Sequence, residues 1–240
     1  MKLKTIFTVA FAATFSCLCA NAQLMNQAKD MSPQFNDFSA TYFFAESLSS
    51  FDLAAGEGRV KWDRYSIEPR QAFNLNSVVM DRLRMKDFPP SGYVNDPELS
   101  IKLDFISPRT VRVRMQTSPV LPNPVEELML AGEPPVDGSW VASETPDAVT
   151  YTSAEGSITI EKKPWRIVLR DADGKVLTQT RTMRDNDVTQ VKLKPFGFVK
   201  SGLDNSRHVA PVFSIKAGER IYGCGESPTS LNKVGQKINL

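Results

Sequence analysis

The sequence predicts an all-β protein, an antiparallel β-sandwich with an irregular N-terminal extension. Three observations carry this. Apolar and polar residues alternate with period two in short runs from residue 100 onward, the pattern of a strand with one face in a core and one in solvent. The runs are separated by compact turn sequences. The repeated strand-then-helix pattern that builds a parallel barrel is nowhere visible.

Residues 1–22 read as a signal peptide. Lys2 and Lys4 precede an uncharged stretch from Thr5 to Ala20 rich in Phe, Ala, Val and Leu, and Ala20-Asn21-Ala22 supplies the small residues of a cleavage site. The expected location is therefore periplasmic or secreted. A membrane anchor is the first alternative, but the apolar run falls short of the ~20 residues that span a bilayer, and no membrane span is expected. Lipid attachment at Cys17 or Cys19 is the second, although neither cysteine has the usual Leu and small residues ahead of it.

Two of the three cysteines lie in that leader, so the mature chain keeps Cys224 alone and is expected to hold together by a packed core rather than an internal disulfide. Of the 29 basic residues, two are in the leader, and the rest balance the 27 acidic ones. Such a neutral chain gives no reason to expect nucleic acid as a partner. About 218 residues remain, enough for one large β domain.

Residues 23–57 are read as the extension. Phe35, Phe38, Tyr42, Phe43, Phe44 and Phe51 supply apolar area without clean periodicity, consistent with one or two strands. Gly56-Glu57-Gly58 is the expected turn out of it, with both glycines able to take positive φ before Arg59-Val60-Lys61-Trp62 resumes an extended pattern.

The sandwich is expected over 58–240. Its strands are Ile101–Phe105, Val111–Met115, Val149–Thr152, Ile158–Glu161, Arg166–Leu169, Lys175–Thr178, Val191–Lys194, Val212–Lys216 and Arg220–Tyr222. Ser107-Pro108-Arg109, Glu155-Gly156-Ser157 and Asp171-Ala172-Asp173-Gly174 are the hairpin turns. Between Ser118 and Gly138 five prolines surround Val125–Ala131, where Pro124 could open and Gly132 close one or two helical turns.

Few residues suggest chemistry. His208 is the sole histidine, which leaves a multi-histidine metal site or a Ser-His-Asp triad little to build on, and an exposed loop position is expected for it. Cys224 has no evident activating base and reads as inert packing. Gly223-x-Gly225 lacks the third glycine of a dinucleotide loop, with Pro228 in its place, and reads as a strand exit. Asp171–Gly174 resembles the start of a calcium loop but lacks the bidentate Glu, so a hairpin is expected. Trp62, Trp140, Trp165, Tyr93 and Tyr151 could stack on sugar rings, but most of them are expected in the core, Trp165 in particular, with Trp62 nearer the surface. No catalytic, cofactor-binding or metal-binding residue is assigned, and no cofactor is expected.

Tyr222-Gly223-Cys224-Gly225-Glu226, with Leu231-Asn232-Lys233 and Gly235, resembles the end of the N-terminal β-sandwich of glycoside hydrolase family 31. Ile106–Arg114 and the span from Val149-Thr150-Tyr151 through Pro164-Trp165 to Asp173-Gly174 add to it, so the resemblance covers about residues 58–240, with Cys224 standing where the family more often has Phe or Leu. It implies a galactose mutarotase-like sandwich of the supersandwich type, lying ahead of a (β/α)8 barrel that carries two catalytic aspartates. The whole enzyme would be an α-glucosidase or α-xylosidase acting on α-linked oligosaccharide or polysaccharide, and its aspartates are not in this chain. Glu226 matches an acid at the domain junction and is expected to bond loop amides rather than to catalyse. A free-standing carbohydrate-binding module, or an accessory domain completing a separately encoded barrel, is the alternative.

Overall fold

In the computed structural model, residues 39–72, 75–82, 95–119, 134–183, 195–204, 206–223 and 231–234 are described, with backbone alone from 67 to 82. The described strands are β1 (Thr41–Asp52), β2 (Glu57–Ala72), β3 (Leu75–Arg82), β4 (Glu98–Ser107), β5 (Thr110–Met115), β6 (Val141–Glu144), β7 (Ala148–Ser153), β8 (Gly156–Glu161), β9 (Arg166–Asp171), β10 (Val176–Thr180), β11 (Gly197–Lys200), β12 (Arg207–Ala210) and β13 (Phe213–Ser214). They form two antiparallel sheets. One has seven strands, in the order β12-β11-β1-β2-β4-β5 with β3 also on β2; the other has six, in the order β13-β10-β9-β8-β7-β6.

The alternation read in the sequence is what faces the sheets toward each other. Leu99, Ile101 and Leu103 of β4, Val149 and Tyr151 of β7, and Ile158 and Ile160 of β8 are all buried, and they meet in one cluster with Phe43, Val60, Trp62, Trp165 and Phe198. Each fully buried large side chain contributes about 1.5–3 kcal/mol. Ser66, Asp63 and Arg64 are buried too, and Arg64 pairs with Asp96 at 3.0 Å.

The stretch expected as an irregular extension supplies β1, an inner strand between β11 and β2. Its aromatic residues are consecutive because it is covered on both faces. Phe43 and Ala45 enter the inter-sheet core, while Tyr42 and Phe44 point the other way into a second cluster with Ala40 and Val199. A bulge follows Ala45, and there the Glu46 carbonyl accepts from Trp165 N at 2.8 Å while Leu48 N donates to Lys162 O at 2.9 Å. The irregularity thus ties β1 to the β8–β9 connection of the facing sheet.

The turn into β2 corrects the glycine expectation in part. Gly56 has φ 64, but Gly58 is absent from the left-handed region; it is glycine because a Cβ there would collide with Ser50 O and the Phe51 ring. Gly156 and Gly174 fall in the expected hairpins. The strand expected over Val212–Lys216 shortens to β13, and Arg220–Tyr222 is not a strand: Ile221 N donates to Asn232 Oδ1 at 3.1 Å and Ile221 O accepts from Lys233 N at 2.7 Å, so both backbone groups serve a loop. The residues from Ile215 onward belong to a unit separate from that of Ser32–Ser214. The Val191–Lys194 strand and the Val125–Ala131 helical turn lie outside the described residues. No helix among the described residues is long and apolar enough to cross a membrane.

Candidate functional site

A groove of about 590 Å³ opens beside β4, bounded by the β1–β2 turn at Leu53–Gly56, by β5, and by the segment from Pro134 to Trp140. Backbone bonds fix its walls. Leu103 N donates to Gly56 O at 2.8 Å, and Asp137 N donates to Phe105 O at 2.8 Å. The Asp137 carboxylate accepts from Ser139 N and Oγ at 2.9 and 3.0 Å, which turns the chain into β6.

A run of aromatic rings forms its apolar side. Trp140 and Phe105 lie 5.1 Å apart, Phe105 and Tyr151 4.6 Å, all in tilted contact. The Trp140 indole is held by its own Nε1, which donates to Ser107 O at 3.0 Å. Tyr151 donates to Leu53 O at 2.7 Å, linking β7 to the β1–β2 turn across the two sheets. Burial pushes the Tyr151 hydroxyl up to about 12, with the Asp52 charge adding to it.

That shift has a checkable sign. In the unfolded chain the phenol ionises from about pH 10, in the folded chain near 12, so its contribution to stability is intact below pH 10 and is lost as pH rises toward 12. The denaturation midpoint should fall across that interval, and fall less in Tyr151→Phe. At neutral pH the same substitution should cost about 1–2 kcal/mol, because Leu53 O loses its donor; chemical denaturation measures both effects.

The polar side of the groove is charged but paired. Arg114 grips Asp104 through Nε and Nη2 at 2.8 and 3.0 Å, and Lys102 meets Glu57 at 2.8 Å. Arg112 also lines the groove.

The residues singled out in the sequence scatter. Trp165 is buried as expected; Trp62, expected near the surface, is 2% exposed, because β2 turns it inward and places Asp63 and Arg64, themselves buried, beside it. Trp140 and Tyr151 come together at the groove. His208 is not in a loop: it sits half-buried on β12, opposite Val199, with Nε2 3.0 Å from Ser206 Oγ. Nearby, hydrogen bonds from the Ser206 hydroxyl and amide and from the Ser201 hydroxyl hold the Asp204 carboxyl down at about 2. The carboxylate thus serves the serine rather than the imidazole, unlike a triad, in which the acid orients the histidine. Asp171 Oδ1 accepts from Lys175 N at 2.8 Å, a hairpin turn. Tyr93, Cys224, Glu226 and Pro228 lie outside the described residues. Among the described residues no three His, Cys, Asp or Glu gather as metal ligands would. The groove itself was missed, since Lys102, Asp104, Arg112 and Arg114 read only as the polar face of two strands; Trp140 and Tyr151, named as aromatics able to stack on sugar, were the available signal.

No curated protein matches the chain. Solved structures similar to it include an uncharacterized protein from Listeria monocytogenes EGD-e, at TM-score 0.46 and 17% identity, and a structure of that protein in complex with glucose, magnesium and calcium at TM-score 0.47 and 17% identity. The cycloalternan-forming enzyme from Listeria monocytogenes in complex with pentasaccharide substrate gives 0.46 and 17%. Each comparison covers 81% of this chain and 14% of the other, so the chain spans about a seventh of their length. Residues 100–240, from β4 onward, match the family model of the glycosyl hydrolase 31 N-terminal galactose mutarotase-like domain, and with two antiparallel sheets packed on one core the chain belongs to that family.

Proposed function

We propose that this chain is the N-terminal sandwich of an exported family 31 glycoside hydrolase of the α-glucosidase or α-xylosidase type, hydrolysing O-glycosyl bonds in α-linked saccharides, and that it does not cleave them by itself. The observation that carries the reading is the family match over residues 100–240. Retaining hydrolysis needs two carboxyl groups ~5–5.5 Å apart across the scissile bond. In the groove, Asp104 is taken up by Arg114 and Asp137 by Ser139, which suits a supporting domain better than an acid–nucleophile pair. The catalytic aspartates then belong to a barrel outside these residues. Export rests on Lys2, Lys4, the apolar run to Ala20 and the small residues to Ala22.

Two measurements test this. The purified chain is expected to release no chromophore from aryl α-glucosides or α-xylosides; sustained turnover overturns the reading. The exported protein is expected to begin at Gln23 by mass spectrometry, and retention of residues 1–22 overturns export.

A further inference from the structure

We propose that the groove between the β1–β2 turn, β4–β5 and the Pro134–Trp140 segment binds a neutral oligosaccharide, one sugar ring lying against Trp140 and its hydroxyls meeting Arg112, Arg114 and Asp137. The class of ligand rests on the glycosidase reading above; the place rests on the groove.

Size comes first. About 590 Å³ lies within the ~300–1,000 Å³ of ordinary small-molecule sites. Rigidity follows. Trp140 is fixed by its bond to Ser107 O and by Phe105 at 5.1 Å, so little side-chain freedom is lost when a ligand covers it. An indole presents a flat apolar surface, matched by the C–H face of a pyranose, with a polar rim beside it.

Charge selects a neutral ligand. Three basic side chains, Lys102, Arg112 and Arg114, line the groove with two acidic ones, Asp104 and Asp137, and Glu57 on Lys102 restores the balance. An anion or cation approaching Arg114–Asp104 or Lys102–Glu57 would have to compete with an existing pair for its counter-charge. A sugar does not. The guanidinium carries five N–H groups in a fixed fork; Asp104 takes two from Arg114, and the others suit hydroxyl oxygens. The bidentate grip also holds that fork in place before ligand arrives.

The three tryptophans make the test direct. Trp62 and Trp165 are 2% and 1% exposed, whereas Trp140 is half-buried at the groove, so a ligand there perturbs Trp140 fluorescence. The 240-residue chain is titrated with maltotetraose, a xyloglucan heptasaccharide and a sulfated oligosaccharide, by fluorescence and calorimetry. At least one neutral saccharide is expected to bind saturably, and Trp140→Ala and Arg114→Gln are each expected to weaken it about tenfold or more. The Arg114 side chain is 45% exposed, so Arg114→Gln keeps the question open to refutation if Trp140→Ala does not fold. No saturable binding at up to about 10 mM neutral saccharide, binding by the sulfated compound alone, or undiminished binding by Arg114→Gln overturns the proposal. Absent binding leaves the lack of hydrolysis untouched, whereas aryl-glycoside turnover overturns the functional reading even if sugar binds.

Discussion

Phe43→Ala is expected to lower the unfolding free energy by about 3–5 kcal/mol, a large share of the ~5–15 kcal/mol typical of a whole domain. Phe43 is fully buried. Its ring stacks on Phe198 with centroids 4.5 Å apart and planes 6° from parallel, and the two residues are register partners across β1 and β11. Trp62 meets the Phe198 ring edge-on at 5.1 Å, so truncation opens a cavity that these two rigid aromatics cannot collapse to fill. Urea denaturation followed by circular dichroism measures the loss. A cycle with Phe198→Ala should return about 0.5–1.5 kcal/mol of coupling for the stack. A loss below about 1 kcal/mol for Phe43→Ala would mean that β1 is an appendage after all.

Gly197→Val tests the same seam from the other strand. A Cβ on Gly197 would run into the Phe43 carbonyl oxygen and come within 2.7 Å of the Phe44 ring. The ring can turn; the carbonyl cannot, because it belongs to the backbone of an inner strand. Overpacking costs about 1–3 kcal/mol and more where the backbone must shift, so an effect at or above the top of that range is expected. Gly174→Ala is the contrast. Gly174 has φ 79 with open space around it, so only its backbone conformation is disturbed, at about 1 kcal/mol. Equal losses in the two variants would remove the close approach as the reason for Gly197.

What the sequence revealed follows from how many faces of each strand are covered. β4, β7 and β8 were legible because one face is more exposed than the other, so Ile101-Lys102-Leu103 and Ile158-Thr159-Ile160 alternate visibly. β1 hides its period because Tyr42, Phe43 and Phe44 are all buried, on alternate sides. The same cause misplaced Trp62: Lys61 and Asp63 suggested solvent, yet Asp63 is 5% exposed beside the Arg64–Asp96 pair. The family resemblance reached the fold through turn and strand sequences, whereas the groove is assembled from Leu53, Asp104, Trp140 and Tyr151, whose meeting depends on sheet order rather than on any local pattern.

The pairing of β1 with β11 also sets a timetable. On a ribosome adding roughly 5–20 residues per second, Tyr42–Phe44 emerge about eight to thirty seconds before Gly197–Lys200 can dock beside them. Throughout that wait a sticky aromatic ribbon has one flank unsatisfied, and a holding factor on the nascent polypeptide would be its natural shelter.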